Sequence, residues 1–310
     1  MASISSASIF PLFRDGINAV IGNYPTYPDE WKQVFKTESS DKGYELEDEF
    51  KSLGMAQLKG EGKAIAQDNM AIRYQKTYVH DTYGTSFSIT HESYKDNRYP
   101  KLFPQQLIAL TNAVRTAKSQ VAANVYNLGA VTNTSDGVPL FSTNHPIDDG
   151  TVCSNYINTA LSETALQNGI ITIKQFKQLS GIPTMIKPQT LLVGIGNEFA
   201  ADVLLGSKYK AQVGNNIAPN AVGAAQGAND ISAIYNMRSI PKGAIVDNFI
   251  TSMTFAAIIT NAERGFIHYE REKLDDWSWL DQTTRDRWFA ACERFSFGVT
   301  NWRAVCALSL

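Results

Sequence analysis

Residues 103–128 decide the fold of this chain, and they read FPQQLIALTNAVRTAKSQVAANVYNL. Apolar side chains recur in this stretch every three or four residues, which is the spacing that places them on one face of an α-helix. Pro104 suits the first helical turn, and Gly129 suits the position just beyond the last turn. The pattern predicts one helix of about 25 residues, or roughly 38 Å, which is about twice the common length. Its apolar face consists of Phe103, Leu107, Leu110, Val114, Ala117, Val121, Val125 and Leu128.

The composition of the chain describes a globular protein with few charges. Its 310 residues carry 28 basic and 30 acidic side chains, so the formal net charge is −2. At this length we expect one large domain or two modest ones, and a hydrophobic content of 44% excludes general disorder. The balanced charge argues against a dedicated nucleic-acid binder, which usually shows a basic stripe. The charged fraction of 19% lies below the ~25% typical of such domains, so much of the surface is expected to contact something other than water.

No segment of the sequence predicts export or a membrane span. The longest apolar run, residues 253–259, is far too short to cross a bilayer, and no basic residue precedes Arg14, so we expect no signal peptide. The four histidines show no metal-binding spacing, and we expect neither a metal nor another cofactor. The cysteines are odd in number and lack a CxxC spacing, which indicates buried thiols in a reducing compartment. They are Cys153, Cys292 and Cys306.

Residues 1–40 are predicted to form an arm rather than a domain. Phe13 and Ile17 belong to a short apolar stripe at helical spacing, which Gly16 weakens. The prolines within residues 23–28 then favour an extended path. Such an apolar arm packs either on another copy of the chain or over the core of its own chain, and the sequence leaves both options open.

Residues 41–95 alternate in the manner of two long strands around a charged, glycine-rich middle. Tyr74 and Tyr78 share one face of a period-two run, and a second alternating run follows a predicted turn at Asp81–Gly84. The middle, Lys59-Gly60-Glu61-Gly62-Lys63, cannot support a core. A two-stranded ribbon of this kind is marginal alone in water, so it needs a neighbouring subunit or another part of the same chain to lie on.

Beyond the long helix the sequence predicts further helices, strands and loops. Ser162 is placed as the N-cap of a second helix that continues to about Leu179. Residues 212–229 contain no charged side chain and are expected to form a loop. The remaining predicted elements are a strand at 190–193, a helix at 197–205, a strand-like stretch at 244–260 and a final strand at 302–309.

The motif Gly194-Ile195-Gly196-Asn197-Glu198-Phe199 follows a predicted strand and opens a helix, which is where a dinucleotide fingerprint would lie. Phe199 occupies the place of the third glycine, however, and no acid follows at the distance needed to hold a ribose. No βαβ series surrounds the motif. A tight strand-to-helix turn capped by Asn197 is therefore the favoured interpretation, and a dinucleotide-dependent oxidoreductase stays as a remote alternative.

The other chemistry-bearing residues also have structural explanations. His145 lies in NHPIDDG, residues 144–150, which could supply a base and its carboxylate partner, although turn chemistry explains the same residues. Four tryptophans could form a ligand cage, but anchors of a core or an interface are the commoner case. We therefore predict no catalytic residue and no enzyme activity. The tryptophans are Trp277, Trp279, Trp288 and Trp302.

Short sequence blocks stand in a definite order along nearly the whole chain. Before the long helix they are Trp31-Lys32-Gln33-Val34-Phe35, Ser40-Asp41-Lys42, Leu53-Gly54 and Phe87-Ser88-Ile89-Thr90. After it they are Asp136-Gly137, Leu140-Phe141-Ser142, His145-Pro146, Ser154-Asn155, Tyr269-Glu270-Arg271-Glu272 and Asn301-Trp302-Arg303. In these blocks and their order the chain resembles the major capsid proteins of tailed double-stranded DNA phages, in the Mu-like major head subunit family.

This resemblance implies an α+β fold of the Hong Kong 97 capsid type. Residues 1–40 would be the N-terminal arm, 41–95 an extended loop over the adjacent subunit, and 96–150 the peripheral domain with its spine helix at 103–128. Residues 151–285 would form the axial domain, with 212–229 near a capsomer axis, and 286–310 would return to the peripheral domain. The residues then expected at contacts between subunits are Phe13, Ile17, Lys59, Glu61, Lys63, Tyr74 and Tyr78.

The resemblance also implies a function and partners. The chain would be a major capsid protein that self-assembles into pentamers and hexamers of an icosahedral shell, located in the virion and, during assembly, in the host cytoplasm. It would contact the packaged double-stranded DNA without specificity. Because no charged helical scaffolding segment precedes the arm, a separate scaffolding protein is expected, together with a portal protein and a place for a decoration protein. An encapsulin-like nanocompartment shell, which shares the fold but encloses enzymes, is the nearest alternative.

Overall fold

The apolar stripe at 103–128 forms one uninterrupted helix, Phe103–Asn127, which confirms the predicted length of 25 residues. This helix is seen in a computed structural model that describes residues 29–96, 103–206 and 240–310. Four residues of the stripe, Phe103, Leu107, Leu110 and Val114, are buried, as the spacing predicts, whereas Leu128 at its end is exposed. The predicted arm residues Phe13 and Ile17 and the predicted loop at 212–229 lie outside the described residues.

Four α-helices and twelve β-strands make up the described part of the chain. The helices are α1 (His91–Lys95), α2 (Phe103–Asn127), α3 (Glu163–Lys174) and α4 (Glu198–Gly206). The first six strands are β1 (Lys36–Ser39), β2 (Tyr44–Lys51), β3 (Ala71–Val79), β4 (Asp81–Ile89), β5 (His145–Pro146) and β6 (Val152–Cys153). The others are β7 (Pro188–Val193), β8 (Ala244–Val246), β9 (Ala256–Thr260), β10 (Phe266–Leu280), β11 (Arg287–Val299) and β12 (Val305–Ser309).

The chain divides into two compact units, and each unit is built from segments that are distant in sequence. Strand pairing joins β4 to β11 across most of the chain, which brings distant segments into the first unit. The first unit contains Met1–Glu47, Thr77–Val125 and Phe266–Gly298, and the second contains Asp48–Lys76, Tyr126–Gly265 and Val299–Leu310.

The first unit is a sheet with the strand order β1-β10-β11-β4, packed on α2. β1 runs parallel to β10, and β4 runs antiparallel to β11. Leu110 and Val114 of α2 form a buried cluster with Ala291 of β11. Phe103 at the start of α2 packs edge-on against Phe289, with ring centroids 5.0 Å apart. The apolar face of the long helix therefore finds its partner in β11.

The second unit is a sheet with the strand order β12-β9-β7-β8. β9 is buried along its whole length and pairs antiparallel with both β7 and β12. α3 packs on β12 and β9 through its buried residues Leu166, Ile170 and Ile173. The predicted N-cap is confirmed, because the Ser162 side chain accepts a hydrogen bond from the Ala165 backbone N–H at 3.1 Å.

Ser162→Ala is expected to lower the free energy of unfolding by about 1 kcal/mol, because the first turn of α3 then loses the acceptor for one of its backbone N–H groups. Urea unfolding of the unassembled subunit measures the change. Ser162→Asp, which restores a side-chain acceptor, is the matched control and should recover most of the loss. Equal losses for the two variants would show that the cap does not stabilise α3.

The predicted turn at Asp81–Gly84 is wrong, because these residues begin β4. Only His80 separates β3 from β4. Gly84 pairs with Cys292, and a Cβ atom at position 84 would lie 2.8 Å from the Cys292 Cβ. The glycine that suggested a turn is needed instead for the close approach of two paired strands.

The predicted helix after Ser162 is shorter than expected, since it ends at Lys174 rather than near Leu179. The chain beyond it turns back on itself: Lys177 forms an antiparallel bridge with Pro183, and the Gln178 backbone N–H donates to the Ile182 carbonyl at 2.8 Å. Leu179 is buried in this turn. Its apolar side chain continues the helical spacing in the sequence, but it is buried by this turn and not by a helix.

Two further predicted strands are interrupted by turns that a side chain stabilises. Asp247 ends β8, because its Oδ1 accepts from the Phe249 backbone N–H at 2.9 Å, so the stretch 244–260 becomes two strands. Asn301 accepts from the Arg303 backbone N–H at 3.1 Å and caps a 3₁₀ turn, so the final strand begins only at Val305. In both cases a short polar side chain competes with the strand backbone.

All three cysteines are free thiols, as predicted. Cys306 is fully buried, and burial raises the pKa of its thiol to about 12. Cys153 and Cys292 are only half-buried, so the prediction of buried thiols is confirmed for Cys306 alone. No helix within the described ranges combines the length and apolar character that a bilayer crossing requires.

Candidate functional site

The candidate site is the ribbon, which we define as β2, β3 and the segment 52–70 between them. β2 and β3 form a separate two-stranded sheet. The connecting segment bends at Gly60–Lys63, where the Lys63 backbone N–H donates to the Gly60 carbonyl at 3.2 Å. Lys59, Glu61 and Lys63 are exposed at this bend, which is where the sequence placed the tip.

The connecting segment exposes its apolar side chains. Each of five large apolar residues between β2 and β3 is at least 52% exposed, and Leu58 is completely so. Asp68 holds the two ends of the segment together by accepting from the Gly54 backbone N–H at 2.6 Å. Since water-facing apolar side chains in such a run mark a contact surface, the segment is the best candidate for one. The five residues are Leu53, Met55, Leu58, Ile65 and Met70.

One carboxylate of the second unit holds both strands at the root of the ribbon. Asp148 forms ion pairs with both strands. Its Oδ2 lies 3.2 Å from Lys51 Nζ of β2, and its Oδ1 lies 3.0 Å from Arg73 Nε of β3. The Asp148 side chain is only 13% exposed, so this pairing is better shielded from water than an ordinary surface ion pair. One acid thus fixes both strands at the place where the ribbon begins.

Two more contacts hold the root of the ribbon. The Ser52 hydroxyl donates to Gln178 Oε1 at 2.6 Å, and Lys76 Nζ donates to the Asn133 carbonyl at 2.7 Å. Burial lowers the pKa of the Lys76 ammonium. The ribbon is therefore anchored up to Ser52 on one strand and from Arg73 on the other, and within the described chain every residue between them is exposed.

Glu49 of β2 makes the most deeply buried contact of the root. Arg303 is 3% exposed, and its Nη1 donates to Glu49 Oε1 at 2.8 Å while its Nε donates to the Lys177 carbonyl at 2.7 Å. The Ser135 hydroxyl donates to the other carboxylate oxygen of Glu49 at 2.6 Å. A buried charge that is paired and hydrogen-bonded in this way resists displacement, since breaking the pair would leave an uncompensated ion.

The two tyrosines expected at subunit contacts are in different surroundings. Tyr74 is half-buried, with the Arg73 guanidinium 5.6 Å from its ring centroid. Tyr78 is only 7% exposed, because its ring packs 5.8 Å from that of Tyr269 and against the bare backbone of Gly298. The Tyr78 ring therefore has partners within the first unit, and its contact with another subunit stays a prediction.

A buried ionic group lies in the first unit, where the sequence suggested none. Lys118 of α2 and Glu293 of β11 are hydrogen-bonded to each other, and their side chains are 6% and 2% exposed. The ammonium lies 5.2 Å from the Trp31 ring and 5.1 Å from the Phe295 ring, within cation–π range. The sequence signal for this pair was Glu293, which is an acid among the apolar residues that share one face of the strand.

His268 occupies the same aromatic surroundings and stays uncharged. Its ring stacks on Phe297 at 4.5 Å and meets Trp31 at 4.7 Å, and its Nδ1 lies 3.3 Å from the Thr37 hydroxyl. Burial, together with the positive charges of Lys118 and Lys32, lowers the pKa of His268 to about 3. The group as a whole thus holds one cation, one anion and one neutral imidazole in a nearly dry interior.

His145 and its carboxylate partner are structural in this fold. His145 Nδ1 lies 2.7 Å from Asp136 Oδ2, both side chains are almost fully buried, and the Trp302 ring stacks on the imidazole at 4.3 Å. Burial raises the pKa of Asp136, but hydrogen bonds from His145 and Thr134 outweigh it, so the pKa lies below its usual value. A base enclosed in this way has no face left for a substrate.

The glycines of the dinucleotide-like motif serve backbone packing. A Cβ atom at Gly194 would lie 2.4 Å from the Ser252 carbonyl oxygen, and one at Gly196 would lie 2.6 Å from that of Met253. Asn197 Nδ2 donates to the Thr254 carbonyl at 2.7 Å. The loop at 252–254 therefore fills the place that a pyrophosphate would need. Within the described ranges, no three His, Cys, Asp or Glu side chains are grouped to hold a metal ion.

A long helix on a four-stranded sheet, a second sheet with its own helices and a separate two-stranded ribbon form an α+β fold of the Hong Kong 97 type. The sequence matches the family model described as phage capsid protein over residues 73–308. The chain belongs to this family of phage capsid proteins, whose members are components of the virion. No curated protein sequence matches it significantly.

Solved structures support the same fold at low sequence identity. A virus-like particle from Pyrococcus furiosus matches with a TM-score of 0.54 at 10% identity, over 96% of this chain and 99% of that one. The capsid of the cyanophage P-SCSP1u matches with a TM-score of 0.54 at 9% identity, over 88% and 85%. The procapsid of bacteriophage JBD30 matches with a TM-score of 0.51 at 12% identity, over 98% and 75%. The fold expected from the sequence is thereby confirmed.

Proposed function

We propose that this chain is the major capsid protein of a tailed phage, and that it self-assembles into pentamers and hexamers of an icosahedral shell around double-stranded DNA. Membership of the phage capsid family supports the class of function. The observation that carries the proposal is the ribbon, which is anchored at its root by buried charges and exposes apolar side chains beyond it. A subunit built to stay alone would not expose such a segment.

The ribbon supports assembly energetically if it lies on a neighbouring subunit. Complete burial of one Leu, Ile or Met side chain is worth about 1.5–3 kcal/mol, and the segment exposes five of them. Much of that gain offsets the ordering of the segment on association. In this proposal Lys59, Glu61 and Lys63 at the bend and Tyr74 of β3 contact the neighbour.

We assign the two units and the arm to the parts of a capsid subunit in the same way. The first unit would be the peripheral domain with α2 as its spine, and the second would be the axial domain. Phe13 and Ile17 of the arm would contact another copy. A net charge of −2 suits a lumen that holds DNA without binding it tightly. A separate scaffolding protein, a portal protein and a decoration protein would be the partners, and assembly would take place in the host cytoplasm.

A ribbon variant tests the proposal directly. Replacing Leu53, Met55 and Leu58 together by serine should leave a folded subunit that assembles poorly, because the replaced side chains have no partner to lose within the described chain. Circular dichroism and urea unfolding check the fold, and sedimentation with negative-stain imaging checks for shells. Met185→Ser, at a 95% exposed position outside the ribbon, is the matched control. Normal shells from the triple variant would refute the assignment of the ribbon.

An encapsulin-like shell is the second candidate, because a virus-like particle matches the fold as well as a phage capsid does. The two kinds of shell enclose different contents. Particles purified from the cells that produce them should contain nuclease-protected DNA and one portal vertex if the chain is a phage capsid protein. Particles that contain an enzyme and no DNA would favour the encapsulin-like shell.

A further inference from the structure

In the part of the chain that the structure describes, one edge of the sheet in the first unit is unpaired over most of a long strand. β1 pairs only with Ile267–Glu270 of β10, and the last contact is the hydrogen bond from the Ser40 backbone N–H to the Glu270 carbonyl. β11 lies on the other side of β10. Among residues 29–96, 103–206 and 240–310, none forms a strand beside 271–280. About 33 Å of backbone is therefore available for pairing with another strand.

Exposed tryptophans lie along the same stretch. Trp277 and Trp279 are 46% and 40% exposed, and their rings stack with centroids 6.5 Å apart. Trp279 also stacks on Trp288 of β11 at 5.7 Å. Tryptophan is the residue most often found among the few that dominate the affinity of an interface, so a stack of three beside an open strand edge indicates a contact surface.

The charges along this edge complement a second copy of the same edge. In antiparallel pairing centred on Leu274, Lys273 lies opposite Asp275, and Arg271 lies opposite Trp277, each of them twice. Alternation along a strand puts these four side chains on one face. Arg271 suits a contact with Trp277 of the second copy, because its Nε is buried without a hydrogen-bond partner in the described chain. An arginine over an aromatic ring already occurs within the chain, where Arg287 lies 4.2 Å from the Tyr94 centroid.

Neighbouring registers are less favourable. Centring the pair on Lys273 places two ammonium groups opposite each other, and centring it on Asp275 does the same with two carboxylates, which is destabilising. In the register centred on Leu274 the other face brings Glu272 opposite Asp276. Arg294 lies 3.9 Å from Glu272 within its own chain and offsets that contact. The same charges would discourage pairing with unrelated strands.

We infer that the edge 271–280 of β10 is a docking surface for the same edge of a second copy of this chain, paired antiparallel about a two-fold axis. The contact extends the sheet across two subunits by strand addition, with the tryptophan stack beside it. This inference rests on the proposed function only for the presence of many copies of the chain. It uses no residue of the ribbon, so the two contacts can fail separately.

A charge exchange tests the register. Lys273→Glu puts a carboxylate opposite Asp275, and Asp275→Lys puts an ammonium opposite Lys273, so each single variant should raise the subunit concentration needed for assembly about tenfold. The double variant restores both pairs and should assemble like the unchanged chain. Light scattering follows assembly, and circular dichroism confirms that each variant is folded. Unchanged assembly of both single variants, or a double variant as defective as the single ones, would overturn the inference.

A cysteine pair gives a second measurement that does not depend on shells. In a Cys153→Ser/Cys292→Ser background, Lys273→Cys subunits mixed with Asp275→Cys subunits should form an interchain disulfide under mild oxidation. Neither variant alone should do so, because position 273 does not lie opposite itself in this register. Gln282→Cys, in the exposed turn after β10, is the control. Equal cross-linking in all samples, or mass-spectrometric detection of another protein or of the N-terminal arm at position 273, would exclude pairing between two β10 edges.

Discussion

Lys118→Met is expected to lower the free energy of unfolding of the unassembled subunit by about 3–5 kcal/mol, because it leaves the Glu293 carboxylate buried without its ammonium partner. Glu293 is 2% exposed, so water cannot take over the lost interaction. Methionine keeps most of the aliphatic stem between Trp31 and Phe295, so the change removes charge rather than volume. Urea unfolding followed by tryptophan fluorescence measures the loss.

Two further variants separate the loss of charge balance from a general effect of mutation. Lys118→Met/Glu293→Leu removes both charges and should recover most of the stability, since a well-packed apolar pair often equals a buried ion pair. Lys36→Met breaks the pair with Glu38, in which the lysine side chain is 77% exposed, and should cost less than about 1 kcal/mol. If Lys118→Met costs no more than Lys36→Met, the buried pair does not stabilise the first unit.

His268 is expected to make the subunit acid-sensitive. Burial and the charges of Lys118 and Lys32 lower its pKa to about 3, whereas the unfolded chain takes up the proton near pH 6.5. Between these values the unfolded state binds one more proton than the folded state, so stability falls with falling pH by about 1.4 kcal/mol per unit. From pH 6.5 to pH 4.5 this amounts to about 3 kcal/mol. Urea unfolding at several pH values measures the slope.

His268→Phe should remove this part of the pH dependence, because phenylalanine fits among Phe295, Phe297 and Trp31 and takes up no proton in either state. Thr37→Val is the matched control: it removes the hydroxyl near Nδ1 and keeps the imidazole, so the slope should remain. The difference between the two slopes isolates His268 from the carboxylates that also titrate in this range. Equal slopes for His268→Phe and the unchanged chain would contradict the prediction.

The features of the fold that could be predicted from the sequence depend on neighbours along the chain. The helix at 103–128 follows from apolar residues three and four apart, and the Ser162 cap follows from a hydroxyl placed just before a helical pattern. The ribbon tip at Lys59–Lys63 follows from a run that has no side chains for a core. In each case the deciding interaction spans at most a few residues, so it is visible in the sequence.

The features that were missed depend on residues far apart in sequence. Lys118 and Glu293 are 175 positions apart, and only the packing of α2 on β11 brings them together. Gly84 is typical of a turn in the sequence, and only its pairing with Cys292 places it inside a strand. The open edge of β10 exists because β1 ends at Ser39, which no local pattern indicates.

The class of fold, the long helix, the ribbon and the resemblance to phage capsid proteins are all visible in the amino-acid sequence. These rest on periodicity, turn chemistry and the order of short blocks along the chain. Only the tertiary structure decided which charges are buried, which glycines are required by close backbone approach, and which strand edge stays open. Burial and strand pairing are properties of distant segments in contact, and a contact between distant segments has no signature in either segment alone.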